Sequence, residues 1–193
     1  AQPTDTPAYW HSFIAVDNVD ASLRAVAAAG GTLLSGPDDV MELGRKALVR
    51  DPSGAEVSLW QAGQRSGAAY AAGPGIASWH ELITQDVAGA TAFYRSVFGW
   101  TGEVMEQEEM IFAGFSLDGQ PICVIWNTPA YLTGMPPMWV VYFGVHDVAA
   151  SASKVKELGG SVLLEPTEMM GVPYAVVRDP LGAVFYISGM PSA

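Results

Sequence analysis

The chain has a single cysteine, Cys123, in 193 residues. One cysteine excludes an intrachain disulfide framework, and it argues against a cysteine-built zinc site. A reducing, cytoplasmic setting is the expectation. Basic residues are also scarce: nine Lys and Arg stand against twenty Asp and Glu, for a formal charge of −11. No Lys/Arg cluster is present, so nucleic acid is not an expected partner. The acidic balance reads as a solvated surface that keeps the chain soluble. Long apolar runs are missing too. The strongest, "MPPMWVVYFGV" at 135–145, is about half a membrane span and contains two prolines. No membrane association is expected, and "AQPTDTPAYWH" at the start does not read as a signal peptide. Charged residues make up only 15% while half the residues are hydrophobic, which is enough to build a buried core.

What is present is repetition. "VRDPSGAEVSLWQ" (49–61) and "VRDPLGAVFYISG" (177–189) carry the same turn. The relation extends upstream, where 9–37 aligns with 138–166. Trp10 meets Trp139, Gly30-Gly31 meets Gly159-Gly160, and Pro37 meets Pro166. A weaker third copy, "WHELITQDVAGATAFYRSVFGW", occupies 79–100.

Each copy reads as strand, helix and three strands. First strands are expected at 9–16, 77–84 and 138–145, and helices at 19–29, 86–98 and 147–158. Asn18, Asp86 and Asp147 are the expected N-caps. The double glycines are expected C-caps. The last three strands are expected near 32–35, 45–50 and 55–61 in module one. In module two they fall near 101–106, 109–117 and 120–126, and in module three near 161–165, 173–178 and 183–188. The fold class is therefore α+β, with three βαβββ modules. The expected domains are 1–61, a single module; 62–75, a Gly/Ala-rich linker; and 76–193, a two-module domain.

"DVAGATAFYRSVFGW" and the two Asp-Pro-x-Gly turns resemble the vicinal oxygen chelate superfamily of glyoxalase I, bleomycin resistance proteins and extradiol dioxygenases. "WHEL" resembles its two-domain actinobacterial members, often labelled hydroxylases. The resemblance implies paired modules whose curved mixed sheets form a cup, with helices outside. It also implies four modules, so this chain is expected to lack the first. Module one would then expose a large apolar face and pair with its copy in a homodimer.

In the family, metal ligands come from the first and last strands of each module. Counting back seven residues from Asn18, Asp86 and Asp147 reaches His11, Trp79 and Val140. Counting four on from Gly54 and Gly182 reaches Ser58 and Tyr186. Trp and Val offer no metal donor, and Tyr is an uncommon one. No metal is therefore expected. The fallback is one divalent ion held by His11, Glu56 or His80.

Strand alternation puts Trp79, Glu81, Ile83, Tyr142, Val184, Tyr186 and Ser188 on the cup face. Trp126 or Cys123 joins them, depending on register. A one-residue slip would instead turn His80 inward. Glu81 is read as a ligand contact or as an ion-paired rim residue. The expected binding residues are Trp79, Glu81, Trp126, Tyr142, Tyr186 and Ser188, and the expected partner is an aromatic or amphipathic small molecule. Plain aromatic core packing competes with this reading. So do a metal-dependent lyase, isomerase or dioxygenase, and a non-catalytic interaction or stress protein. No catalytic residue is assigned.

Overall fold

A computed structural model describes residues 8–64 and 73–190. Most of the 62–75 linker, from 65 to 72, lies outside the described residues. The fold is α+β, with twelve strands and three α-helices among the described residues. Module one comprises β1 (Phe13–Ala15), α1 (Val19–Ala28), β2 (Thr32–Val40), β3 (Gly44–Arg50) and β4 (Glu56–Ala62). Module two comprises β5 (Ala77–Thr84), α2 (Val87–Phe98), β6 (Thr101–Gln107), β7 (Met110–Leu117) and β8 (Gln120–Asn127). Module three comprises β9 (Met138–Val145), α3 (Val148–Glu157), β10 (Ser161–Met169), β11 (Val172–Arg178) and β12 (Val184–Gly189).

The repeated sequence signals are repeated physical devices. Asn18 Oδ1 accepts the amide of Ala21 at 2.8 Å, Asp86 that of Gly89 at 2.8 Å, and Asp147 that of Ala150 at 2.9 Å. Each satisfies an orphan donor in the first helical turn. At the other end, Gly31 N donates to Val26 O at 2.8 Å and Gly160 N to Val155 O at 2.9 Å. The first glycine of each pair, Gly30 or Gly159, has φ near +85°, which favours glycine. The second glycine is needed for space. A Cβ on Gly160 would stand 2.6 Å from the carbonyl oxygen of Arg178.

The two Asp-Pro-x-Gly turns close alike. Asp51 Oδ1 accepts the amide of Ala55 at 3.0 Å, and Asp179 Oδ1 accepts that of Ala183 at 2.9 Å. Each turn hands the chain from the third strand of its module to the fourth.

Three strands differ markedly in extent from expectation. β1 covers only three residues, Phe13–Ala15, rather than 9–16. Trp10 instead turns its ring onto Phe143, centroids 4.9 Å apart. β2 and β10 run on to Val40 and Met169, past Pro37 and Pro166. Both strands are sheet edges, and each carries register shifts around its proline. An edge strand tolerates the missing N–H, and a bulge absorbs the break in the ladder.

The chain divides into two compact units. Of the described residues, unit 1 holds 8–10, 73–79 and 140–190, and unit 2 holds 11–64 and 80–139. Unit 1 is module three with the start of β5, in strand order β10-β11-β12-β9-β5. Its core lies under α3, where Val148 and Ala152 pack on Ala175, Val177 and Ile187. Unit 2 carries two sheet portions, ordered β1-β4-β3-β2 and β5-β8-β7-β6. Its core joins Val19 and Val26 of α1, Val57 and Leu59 of β4, Phe93 and Tyr94 of α2, and Leu82 and Ile125 of module two. The helical side of module one is thus covered within the chain. Its other face, and the outer edges of β1 and β2, lack a strand neighbour among the described elements.

That other face is mixed in character, which corrects the expectation of a large apolar surface. It carries His11, Phe13, Lys46, Leu48, Arg50, Glu56, Ser58 and Trp60, with Lys46 and Arg50 exposed. The alternation of β3 and β4 gives Ala47, Val49, Val57 and Leu59 to the helices and leaves Lys46, Arg50 and Glu56 on the outer face.

Candidate functional site

Both units present a sheet face turned away from their helices. In unit 1 this face is built from β9, β12 and β11. Tyr186 lies opposite Tyr142 on β9 and opposite Val176 on β11. The Tyr142 and Tyr186 rings are 4.5 Å apart. Tyr174 stacks on Tyr186 at 6.4 Å with planes 6° apart, and lies opposite Ser188. Tyr186 is buried, Tyr142 and Ser188 are half-buried, and Trp79 on β5 is half-buried. Beside Trp79, Ser78 Oγ donates to the carbonyl of Tyr142 at 3.3 Å. The opposite face carries Phe143 and Phe185, on which Trp10 packs edge-on.

In unit 2 the comparable face is built from β5, β8 and β7. Glu81 is buried and lies opposite Val124; Ile83 lies opposite Trp126. Trp126 lies opposite Phe112 and stacks on it at 4.8 Å. Leu82, Ile125 and Cys123 point the other way, into the core with α2. Cys123 therefore belongs to the packed core, and Trp126 is the residue on the face with Glu81. Burial pushes the Cys123 thiol up to about 12, with the nearby Glu81 charge adding to the shift. His80 has the parity of Leu82 and stands on the side away from Glu81. Burial holds its imidazole below the ordinary value, which favours the neutral form.

Module one brings its two counted positions together. His11 Nε2 is 2.7 Å from Ser58 Oγ, a hydrogen bond whose donor depends on the tautomer. Burial lowers the His11 pKa, Glu56 partly offsets this, and Lys46 adds to the lowering. Glu56 itself is paired with Arg50 at 2.7 Å. A metal ion in this fold family would draw on such a first-strand and last-strand pair. The donors here do not fit one. His11 Nε2 is bonded to a hydroxyl, Glu56 is held by a guanidinium, and His80 lies in another module. Among the described residues, no group of three or more His, Cys, Asp or Glu side chains is placed to hold a metal.

The sequence reading passed over Tyr174 and Phe112. The Asp179–Ala183 turn fixes the pairing of Arg178 with Val184, so counting four residues back and four on pairs Tyr174 with Ser188. Phe112 was harder to find. The Asp118-Gly119 turn between β7 and β8 has φ values of 51° and 76°, both in the left-handed region. A register shift after Phe115 then changes the pairing by one residue. That bulge is what places Trp126, and not Ile125, opposite Phe112.

These features agree with comparisons to known proteins. The model of the Glyoxalase/Bleomycin resistance protein/Dioxygenase superfamily matches residues 1–59 and 76–187. CFP32 of Mycobacterium bovis, provisionally named a glyoxylase, is 37% identical over 191 residues, which cover 96% of this chain and 71% of that protein. DauV of Streptomyces sp. strain C5, named an anthracycline biosynthesis protein, is 35% identical over 94% of this chain and 66% of its own length. The chain thus spans about seven-tenths of these relatives. The Mn(II)-bound glyoxalase of Novosphingobium aromaticivorans superposes with a TM-score of 0.61 at 19% identity, covering 92% of this chain and 61% of that one. The 2,2′,3-trihydroxybiphenyl 1,2-dioxygenase of Sphingomonas wittichii RW1 gives 0.62 at 17% identity, over 92% and 69%. These two show the fold alone. With the helix motif, both turns and the βαβββ order in place, the chain belongs to the Glyoxalase/Bleomycin resistance protein/Dioxygenase superfamily.

Proposed function

We propose that the chain is a metal-free small-molecule-binding member of this superfamily, taking an aromatic or amphipathic ligand. The observation that carries this is the set of residues at the family's ligand positions. Trp79, Val140 and Tyr186 stand where nitrogen and carboxylate donors would be needed. The face that replaces a metal site is aromatic: Tyr142, Tyr174 and Tyr186 form a continuous ring cluster. Such rings suit a planar partner, and their hydroxyls supply polar tips. Trp79 and Ser188 complete that set in unit 1, and Glu81 and Trp126 are the contacts proposed in unit 2. In this reading residues 76–193 carry the ligand contacts, 1–61 are an accessory module, and 62–75 join them. Its similarity to a protein named for anthracycline biosynthesis supports a polycyclic aromatic ligand.

A thermal-shift screen of planar aromatics tests the proposal. A ligand held at 100 times its dissociation constant adds about 2.7 kcal/mol of stability. Trp79→Ala and Tyr186→Ala should abolish that gain. A shift that survives both substitutions overturns the reading.

The similarity to a protein named as a glyoxylase favours a second reading, a metal-dependent lyase or isomerase, with His11 as its starting ligand. We place the protein in the cytoplasm. No helix among the described residues is long and apolar enough to cross a membrane. We also propose a homodimer through module one, because β1 is a sheet edge and Phe13 on it is 53% exposed.

A further inference from the structure

The helix-free face of unit 2 holds a polar atom that the fold leaves unanswered. Trp126 Nε1 is buried and has no hydrogen-bond partner. An indole nitrogen is a donor only, and a buried donor without an acceptor costs stability. Phenylalanine would make the same stack on Phe112 without that cost. The polar side chains next to it are occupied. Asn127 Oδ1 accepts the amide of Ile111 at 2.9 Å, and its Nδ2 donates to the carbonyl of Glu109 at 3.0 Å. Thr84 Oγ1 accepts the amide of Asp86 at 3.1 Å.

The same unit shows what a purely structural indole looks like. Trp139 Nε1 donates to the Tyr94 hydroxyl at 2.9 Å. The other unanswered buried atom, Thr91 Oγ1, lies within α2, where a hydroxyl can rotate onto the carbonyl one turn back. Trp126 has no such rotor. Its ring is fixed by Phe112, with centroids 4.8 Å apart and planes 27° apart, and the N–H lies in the ring plane.

We propose that Trp126 Nε1 is the donor that orients a bound planar aromatic ligand through a neutral carbonyl oxygen. This rests on the aromatic-binding reading above and adds a specificity-determining residue and a ligand class: aryl ketones and quinones. The acceptor approaches the edge of the indole, since the donor lies in the ring plane. It is neutral because the buried Glu81 carboxyl group shares this face, at the strand pair next to that of Trp126. A negative acceptor would also have to lose its hydration at a buried donor, in a chain of net charge −11.

Fluorene and 9-fluorenone form a matched probe pair, neutral and planar, differing by one carbonyl. Calorimetric titration of the full chain should show 9-fluorenone bound about tenfold more tightly, the worth of one buried hydrogen bond. Trp126→Phe should bring the two affinities to within about twofold, with melting temperature not reduced. Should that variant fold poorly, the assigned Trp126 indole proton of the unmodified protein serves instead. It should shift downfield with 9-fluorenone and not with fluorene. Equal affinities, a preference that survives Trp126→Phe, or an indole proton that does not move each overturn the inference while leaving aromatic binding intact. Failure of both probes to bind overturns the inference and the aromatic reading together.

Discussion

The Tyr94 hydroxyl donates to Asp51 Oδ2 at 3.0 Å, tying α2 to the turn between β3 and β4. The same hydroxyl accepts the indole N–H of Trp139 at 2.9 Å. Asp51 is buried, and its other oxygen holds the Ser53 hydroxyl at 2.7 Å and the Ala55 amide. One carboxylate thus both closes a turn and anchors a helix of the next module. Its counterpart Asp179 is only half-buried and accepts from its own turn, at Leu181 and Ala183. The two copies of the turn have diverged in role.

Tyr94→Phe should destabilise the protein by about 1.5–3 kcal/mol, the range for a hydrogen bond to a charged group. Urea unfolding at neutral pH measures this, and a loss below about 0.5 kcal/mol would contradict the assigned role. Burial and the Asp51 charge raise the tyrosine's own pKa well above 10.0. A raised folded-state pKa gives stability that is complete below pH 10 and is lost as pH climbs above it. The wild-type minus Tyr94→Phe difference in stability should therefore shrink between about pH 10 and 11.

His11 and His80 lean the opposite way. Burial lowers both pKa values from 6.5, and Glu56 only partly offsets this at His11. A folded-state pKa below the unfolded one gives stability that is complete above pH 6.5 and is lost as pH falls through the folded value. Unfolding free energies at pH 7.5 and 5.5 should drop less in His11→Gln and His80→Gln than in the wild type. Parallel drops in all three proteins would show that neither imidazole is linked to folding.

Metal analysis separates the two functional readings. After dialysis against Mn(II), Zn(II) or Fe(II) and removal of the excess, the protein should retain far less than one equivalent. About one equivalent of tightly held metal, lost on His11→Ala or His80→Ala, would favour the metal-dependent enzyme.

The homodimer proposal depends on the free edge of β1. Light scattering at micromolar concentration should report twice the chain mass, and Phe13→Glu should return it to a monomer. A monodisperse wild-type monomer ends the proposal. The exposed Lys46 and Arg50 on the adjoining face make the interface more polar than an apolar seam, so its affinity should fall as salt is raised.

Much of the fold was legible because the signals are local. Asn18, Asp86 and Asp147 cap their helices through their own side chains, and each acts on an amide three residues on. Gly30-Gly31 and Gly159-Gly160 end two helices by backbone conformation and by the lack of a Cβ. The two Asp-Pro-x-Gly turns each close on a contact four residues long. Such devices need no distant partner, so sequence spacing alone identifies them and gives the βαβββ unit three times. The positions implied by the resemblance reached His11 and Ser58, and the parallel pairing of β1 with β4 brings the two together.

The aromatic faces depended on more than spacing. Whether Trp126 or Cys123 shares a face with Glu81 turns on the parallel register of β5 with β8, in which Ile83 pairs with Trp126, and a one-residue shift exchanges the two faces of a strand. The repeat by itself determined the modules and their turns, and the resemblance supplied the positions counted to Trp79, Val140 and Tyr186. Only the tertiary structure decided that α1 and α2 share a core, that Asp51 answers Tyr94, and that the Trp126 indole is buried without an acceptor. Those facts depend on which distant side chains fill the space around each group, and strand periodicity carries no information about that.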